Sequence, residues 1–118
     1  MAAESVQCSH LLIKHVGSRR QASWSDPEGT RIKATSKEAA IARLEELREQ
    51  IVAGDISFGD AAKAHSDCSS ARNNGDLGPF TRGQMQKPFE DAVYALQVGD
   101  LSDVVDTDSG VHIILRTA

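Results

Sequence analysis

Two histidines are the first residues in this sequence whose chemistry suggests a function. His10 and His112 each lie in a short apolar stretch that is typical of a β-strand. Taken singly, such a histidine is more often structural than catalytic, since burial alone does not indicate function. On adjoining strands, however, two imidazoles on one sheet face can hydrogen-bond and fix each other's tautomers.

Cys68 is the third residue of interest, because it lies in the polar run of residues 66–70. A lone free cysteine usually packs as a small hydrophobic side chain, and this segment is too polar for that. A thiol near histidines suits nucleophilic catalysis, a metal site, or a noncovalent site in which the thiol is a polar neighbour of the substrate. The spacing fits no zinc motif and no protease signature, but composition and spacing alone do not choose among the three.

A compact basic cluster precedes a long polar stretch, although the chain as a whole is acidic. The net charge is −4, from 13 basic and 17 acidic side chains, which disfavours a general nucleic-acid binder. A charge run is often only a solvated face, but paired guanidinium groups can also hold a phosphate. The cluster consists of Lys14, Arg19 and Arg20.

A glycine-rich region later in the chain collects apolar side chains. Two of the five aromatic residues fall within it, so we expect a concave apolar patch that fits one ring. The set consists of Leu77, Phe80, Met85, Gln86 and Phe89.

Strands at both ends of the chain would position the histidines. Residues 6–15 predict a strand, and its period of two places His10 on the same face as Cys8, Leu12 and Lys14. Residues 101–106 and 111–116 predict a hairpin joined by residues 107–110. We expect the first and last strands to pair at the centre of a sheet.

Helices are predicted between these strands. Thr35 and Glu38 have the spacing of a capping box, and Gly54 is a natural helix end. The inward stripe of this first helix consists of Ile41, Leu44, Leu47 and Ile51.

Two further helices follow. One is predicted to begin after Ser57, and another to begin at Pro88 and end at Gly99. Residues 66–79 read as turns, so Cys68 is expected on a loop or a single helical turn. Residues 16–34 form a long polar loop of the kind that is usually functional or mobile. Together these elements predict an α+β fold, with helices packed on a small antiparallel sheet.

The length of 118 residues predicts one domain, 1–118. No export signal or run of about 18 apolar residues is visible. The two cysteines make no disulfide framework. We therefore expect an intracellular protein, cytoplasmic and nuclear, with reduced thiols.

Five stretches, in this order, closely resemble the parvulin family of peptidyl-prolyl cis/trans isomerases. They span the chain from residue 6 to residue 117, which makes the resemblance far more specific than a short motif. The stretches are CSHLLIKH (8–15), SDCSSA (66–71), GDLGPF (75–80), RGQMQKPFE (82–90) and TDSGVHIILR (107–116).

The basic pair and the Cys68 segment are similar to the phosphorylation-directed subgroup, which acts on phosphoserine–proline and phosphothreonine–proline bonds. Many members carry an N-terminal WW module. Because few residues precede the first strand, we expect the single-domain form typical of plants, with a core at 6–117. The 16–34 loop is expected to be longer than in two-module members. The implied fold is four antiparallel strands with four helices, one of them a short turn near Ser69.

The resemblance also implies roles for individual residues. It implies no cofactor and no metal, with phosphorylated Ser/Thr-Pro proteins as partners, no nucleic acid, no membrane, and a monomer. The implied catalytic residues are His10, Cys68 and His112, supported by Thr107 and Ser109. The implied proline pocket consists of Leu77, Met85, Gln86 and Phe89, and the implied phosphate site of Lys14, Arg19 and Arg20.

Rival functions remain open at this point. A phosphopeptide-binding module without turnover would use the same arginines and pocket. A cysteine hydrolase is disfavoured, because no oxyanion-hole motif is recognisable. A chaperone-like role is compatible with isomerase activity.

Overall fold

The computed structural model describes residues 5–118, and it has one four-stranded antiparallel sheet in the order β2-β1-β4-β3. The strands are β1 (Val6–Ile13), β2 (Asp76–Phe80), β3 (Val105–Thr107) and β4 (Gly110–Arg116). The helices are α1 (Thr30–Lys33), α2 (Lys37–Val52), α3 (Phe58–His65) and α4 (Lys87–Ala95), with a 3₁₀ helix at Ser69–Asn73. The predicted α+β fold with an antiparallel sheet and flanking helices is confirmed. Residues 1–4 of the predicted domain lie outside the described residues.

The two ends of the chain pair at the centre of the sheet, as predicted. On β1, Leu12 is opposite His112 of β4, and His10 is opposite Ile114. Residues opposite each other or two positions apart on paired strands share a face. His10 and His112 are therefore diagonal neighbours on one face.

Each face of the sheet packs against its own helices. On one face, Leu11 and Ile113 join α2 and α3 in a core that includes Leu44 and Leu47. On the other face, Ile114 packs with Phe80 and with Phe89 and Val93 of α4. The helix α4 thus covers the face that carries the two histidines.

The start of α2 is one residue later than the sequence predicted. Ser36, not Thr35, is the N-cap, and its hydroxyl accepts from the Ala39 N–H at 3.0 Å. Thr35 is unavailable because its hydroxyl donates to the Arg31 carbonyl at 2.7 Å, at the end of α1. The predicted start of α3 after Ser57 is confirmed, with an N-cap bond from Asp60 N–H at 3.1 Å.

Three other predicted boundaries, one of β1 and two of α4, were wrong. The strand β1 ends at Ile13 rather than residue 15, since the His15 N–H donates to Ser18 Oγ in a turn. Pro88 is the second residue of α4, which ends at Ala95, well before Gly99.

The terminal hairpin is shorter than predicted. Residues 101–104 do not form a continuous strand, although Leu101 makes an isolated bridge to Leu115. Ser102 pairs with Ile114 only in part, because its N–H donates to the Ile114 carbonyl at 2.8 Å but its hydroxyl, not its carbonyl, accepts from the Ile114 N–H at 2.9 Å. The turn therefore consists of two residues, Asp108 and Ser109, between Thr107 and Gly110.

Two elements were not predicted from local patterns. The strand β2 contains Gly78 and Pro79 within a segment read as turns. The single turn α1 lies inside the polar stretch read as a loop. None of the helices within residues 5–118 has the length and apolar character needed to cross a membrane.

Candidate active site

A hydrogen-bonded chain of polar side chains lies beneath α4. His10 Nδ1 and His112 Nδ1 are 3.0 Å apart, and His112 Nε2 is 2.7 Å from Thr107 Oγ1. Thr107 Oγ1 in turn accepts from the Ser109 N–H at 3.2 Å. The two facing Nδ1 atoms can share only one proton, so the tautomer of one ring determines that of the other.

Burial keeps both imidazoles neutral near pH 7. It lowers the pKa of His10 to about 4. Burial first, and the nearby charge of His10 second, lower the pKa of His112 to about 3. His10 Nε2 is buried without a hydrogen-bond partner. The pair is therefore a rigid, uncharged polar group.

Phe89 of α4 packs against both histidine rings. Its ring packs edge-on, with centroid distances of 5.5 Å to His10 and 5.1 Å to His112. Edge-to-face packing is a favourable arrangement for aromatic rings. The two strands and α4 together hold the rings in place.

A small apolar cavity of about 160 Å³ opens beside this pair. The side chains predicted to form a proline pocket come together in it, and the Gln86 amide donates to Ser109 Oγ at 2.7 Å at its border. Phe80, which was grouped with them in the sequence, is instead buried in the core. The lining residues are His10, Leu12, Cys68, Leu77, Met85, Gln86, Phe89, Ser109 and His112.

Cys68 borders the cavity at the N-cap of the 3₁₀ helix, which agrees with the predicted loop or single helical turn. Ser66 shapes this segment, because its buried hydroxyl accepts from the N–H of Leu12 at 3.0 Å and of Cys68 at 3.3 Å. Cys68 is half-buried and lines the cavity. In contrast, burial first and Asp76 second raise the pKa of Cys8 to about 12, so that thiol is inert near pH 7.

A cleft of about 500 Å³, lined by both charged and apolar side chains, adjoins the apolar cavity, and the two share Leu12, Cys68 and Ser109. Lys14 and Arg20 bring two positive charges to the cleft. Burial, and then the Arg20 charge, lower the pKa of Lys14. An anion in the cleft would therefore lie beside the apolar cavity.

Arg19 is placed differently from its predicted partners. It is exposed, its backbone N–H donates to the Asp108 carbonyl at 2.7 Å, and it does not line the cleft. The structure thus brings Lys14 and Arg20 together at the cleft and leaves Arg19 beside it.

Sequence reasoning missed three residues that shape the cleft: Trp24, Ser66 and Asp67. The Trp24 indole N–H donates to the Ser66 carbonyl at 3.0 Å. Asp67 is buried beside Cys68, and this position next to the predicted thiol was the one available signal. Within residues 5–118, no three His, Cys, Asp or Glu side chains are arranged to hold a metal ion.

Comparison with known proteins identifies close relatives over nearly the whole chain. The rotamase family model, described as a PPIC-type PPIase domain, matches residues 10–118. The chain is 59% identical over 117 residues to peptidyl-prolyl cis-trans isomerase Pin1 of Digitalis lanata, covering 99% of each protein. It is 64% identical over 115 residues to the Pin1 of Arabidopsis thaliana, covering 98% of this chain and 97% of that one.

Two solved structures of peptidyl-prolyl isomerases and related proteins are also similar to this chain. Peptidyl-prolyl isomerase ESS1 from Candida albicans has a TM-score of 0.92 and 44% identity, over 97% of this chain and 63% of that chain. The solution structure of TbPIN1 has a TM-score of 0.88 and 45% identity, over 99% of this chain and 100% of that one.

Proposed function

This chain belongs to the PPIC-type peptidyl-prolyl cis/trans isomerase family and is such an isomerase, and we propose that it acts noncovalently on bonds between a phosphorylated serine or threonine and proline. The observation that carries this proposal is the shared border of the apolar cavity and the cationic cleft. A proline ring in the cavity would have its preceding residue next to the cleft. The resemblance of the basic pair and the Cys68 segment to phosphorylation-directed parvulins supports the same substrate class.

The reaction requires rotation about a bond with partial double-bond character and a barrier of about 18–20 kcal/mol. Uncatalysed exchange at an X–Pro bond takes roughly tens to hundreds of seconds at 25 °C. No bond is broken, so neither a nucleophile nor a cofactor is needed. The enzyme has to bind the twisted amide more tightly than either planar form.

The cavity and the cleft fix the two ends of the rotating bond. Leu77, Met85 and Phe89 hold the proline ring, while Lys14 and Arg20 hold the phosphate. With both ends held, the carbonyl between them is the part that turns.

Neutral polar groups at the site favour the twisted amide. Planar amides are stabilised by charge separation between oxygen and nitrogen, and rotation abolishes it. His10 and His112 are uncharged near pH 7, because burial lowers the pKa of each. Cys68 adds a weakly polar neighbour of the bond. A site made of such groups stabilises the planar amide less than water does.

Two-dimensional NMR exchange on a phosphoserine–proline peptide and its unphosphorylated equivalent tests this function. We expect cis–trans exchange peaks for both peptides. The enzyme concentration needed to produce them should be much lower for the phosphorylated peptide than for the unphosphorylated one. An Arg20→Ala variant should reduce this difference, whereas Arg72→Ala, an exposed arginine on the 3₁₀ helix, should not.

Three outcomes would contradict the proposal. Equal exchange of both peptides, unchanged in Arg20→Ala, would remove phosphate selectivity. Binding without exchange would identify a phosphopeptide-binding module instead. A covalent thiol adduct, seen by mass spectrometry at saturating substrate, would overturn the noncovalent role of Cys68.

A further inference from the structure

Asp67 is a buried carboxylate at the junction between the 16–34 segment and the segment that carries Cys68. Its side chain is 1% exposed. One oxygen accepts from the Lys14 N–H at 2.8 Å, and the other accepts from Ser23 Oγ at 3.1 Å and from the Arg31 guanidinium. A buried carboxylate persists only when it is hydrogen-bonded and paired in this way.

The position of Asp67 creates an electrostatic problem for an anionic ligand. Asp67 lines the same cleft as Lys14 and Arg20. A carboxylate at low dielectric would repel a phosphate dianion bound there, and so cancel part of the attraction of the two cations. A countercharge on Asp67 would remove this repulsion and so strengthen phosphate binding.

Arg31 supplies that countercharge from outside the predicted basic cluster. It forms an ion pair with Asp67 from the short helix α1, while its own side chain is 49% exposed. Asp26 holds α1 in place, because its carboxylate accepts from the N–H groups of Thr30 at 3.1 Å and Ile32 at 3.0 Å. The bonds from Asp26 thus hold α1 in the position from which Arg31 pairs with Asp67.

Gly29 allows α1 to lie close to the backbone of Gln21. Its φ of 71° is left-handed, and a side chain there would clash with the Gln21 backbone carbonyl. The close approach keeps α1 folded back on the residues that follow Arg20.

We propose that Arg31 is a specificity-determining positioning residue, which neutralises Asp67 and so permits a phosphate dianion to bind between Lys14 and Arg20. This inference rests on the proposed preference for phosphorylated substrates. Arg31 acts through Asp67 and does not itself line the cleft.

The test measures kcat/KM for phosphoserine–proline and serine–proline peptides with Arg31→Gln in two backgrounds. Glutamine keeps a donor for Asp67 but removes the charge. In the wild-type background we expect Arg31→Gln to lower kcat/KM for the phosphorylated peptide about three- to tenfold at low salt, mainly through KM. Turnover of the unphosphorylated peptide should change by less than about twofold. With Asp67→Asn already present, Arg31→Gln should alter the ratio of the two kcat/KM values by less than about twofold, since no charge then needs compensation.

Three comparisons separate electrostatics from a structural role. Arg31→Lys keeps the charge and should retain most of the selectivity. Lys33→Gln removes the same charge from an exposed position on the same helix and should leave the ratio unchanged. The loss in Arg31→Gln should shrink at about 1 M salt, where the Debye length is about 3 Å.

The outcomes separate a failure of the role of Arg31 from a failure of the proposed function. Equal losses on both peptides, the same loss in the Asp67→Asn background, or a loss independent of salt would each overturn the role of Arg31. If the wild-type enzyme turns over both peptides equally, the proposed function fails and this inference fails with it. If the wild type is selective and Arg31→Gln is equally selective, the inference alone fails.

Discussion

Acidification should destabilise this protein through its two buried histidines. In the unfolded chain each imidazole takes up a proton near pH 6.5, whereas in the fold His10 does so near 4 and His112 near 3. Because the folded pKa values are lowered, the unfolded state binds more protons between about pH 6.5 and pH 3. The stabilisation is therefore present above pH 6.5 and is lost progressively as the pH falls.

The magnitude is large relative to typical folding free energies. At pH 5 each lowered pKa costs about 2 kcal/mol, so the pair costs about 4 kcal/mol. Domains of this kind have unfolding free energies of roughly 5–15 kcal/mol. The two histidines alone should thus remove a substantial fraction of the stability.

Urea unfolding at about pH 7 and about pH 5 measures this effect. We expect the loss on acidification to be about 3–4 kcal/mol smaller in a His10→Gln/His112→Gln variant than in the wild type. His65 provides the matched control, since it is only half-buried, and His65→Gln should keep most of the wild-type pH dependence. Should the double variant fail to fold, the NMR titration of the imidazole C–H signals in the wild type gives the same answer directly. Identical pH dependence in wild type and double variant, or titration of both rings near pH 6.5, would refute the reasoning.

Three further substitutions test other parts of the account. Met85→Ala should lower kcat/KM about tenfold by enlarging the cavity, since a lost apolar contact of this size is worth roughly 1–3 kcal/mol, and unchanged turnover would count against a proline site there. Cys68→Ala should retain measurable isomerisation in the exchange assay, because no covalent step is needed, and complete loss in a folded variant would contradict this. Ser36→Ala should lower the unfolding free energy by about 1 kcal/mol in urea, while Thr35→Ala costs less; the reverse order would favour the cap originally predicted.

The sequence predicted the central strands and helices well, because their patterns are strong and local. The period of two in β1 places His10 beside Leu12, and the helical stripe through Leu44 and Leu47 is buried in the core. The cap of α2 was misplaced because Thr35 and Ser36 are both good caps by residue type. Only the bond from Thr35 to the Arg31 carbonyl, in a helix that was not predicted, decides between them.

Long-range pairings account for what local patterns missed. The strand β2 carries Gly78 and Pro79, which weaken strand propensity, and it forms because its first and last residues pair with β1. Ser102 lies before β3, where a longer strand was predicted, and its hydroxyl takes the Ile114 N–H in place of its carbonyl, a contact that no local signal reveals.

The site was predicted in its residue types more than in its geometry. The pairing of His10 with His112 was expected from the strand patterns. An apolar patch was expected from the glycine-rich region, but only the family resemblance implied a proline pocket there. The ion pair between Arg31 and Asp67 was not expected, since the two residues lie 36 positions apart in the chain. Charge compensation across such a separation cannot be read from composition or periodicity.

The most direct test of the central claim is an intermolecular NOE measurement between a bound phosphoserine–proline peptide and the methionine methyl groups. The chain has two methionines, Met1 and Met85, so labelled methyl signals are simple to assign with a Met85→Leu variant. We expect NOEs from the proline ring protons to the Met85 methyl group, which lines the apolar cavity beside His10 and Cys68. A peptide that exchanges between cis and trans with no NOE between its proline ring and Met85 would contradict the assignment of this cavity as the proline site.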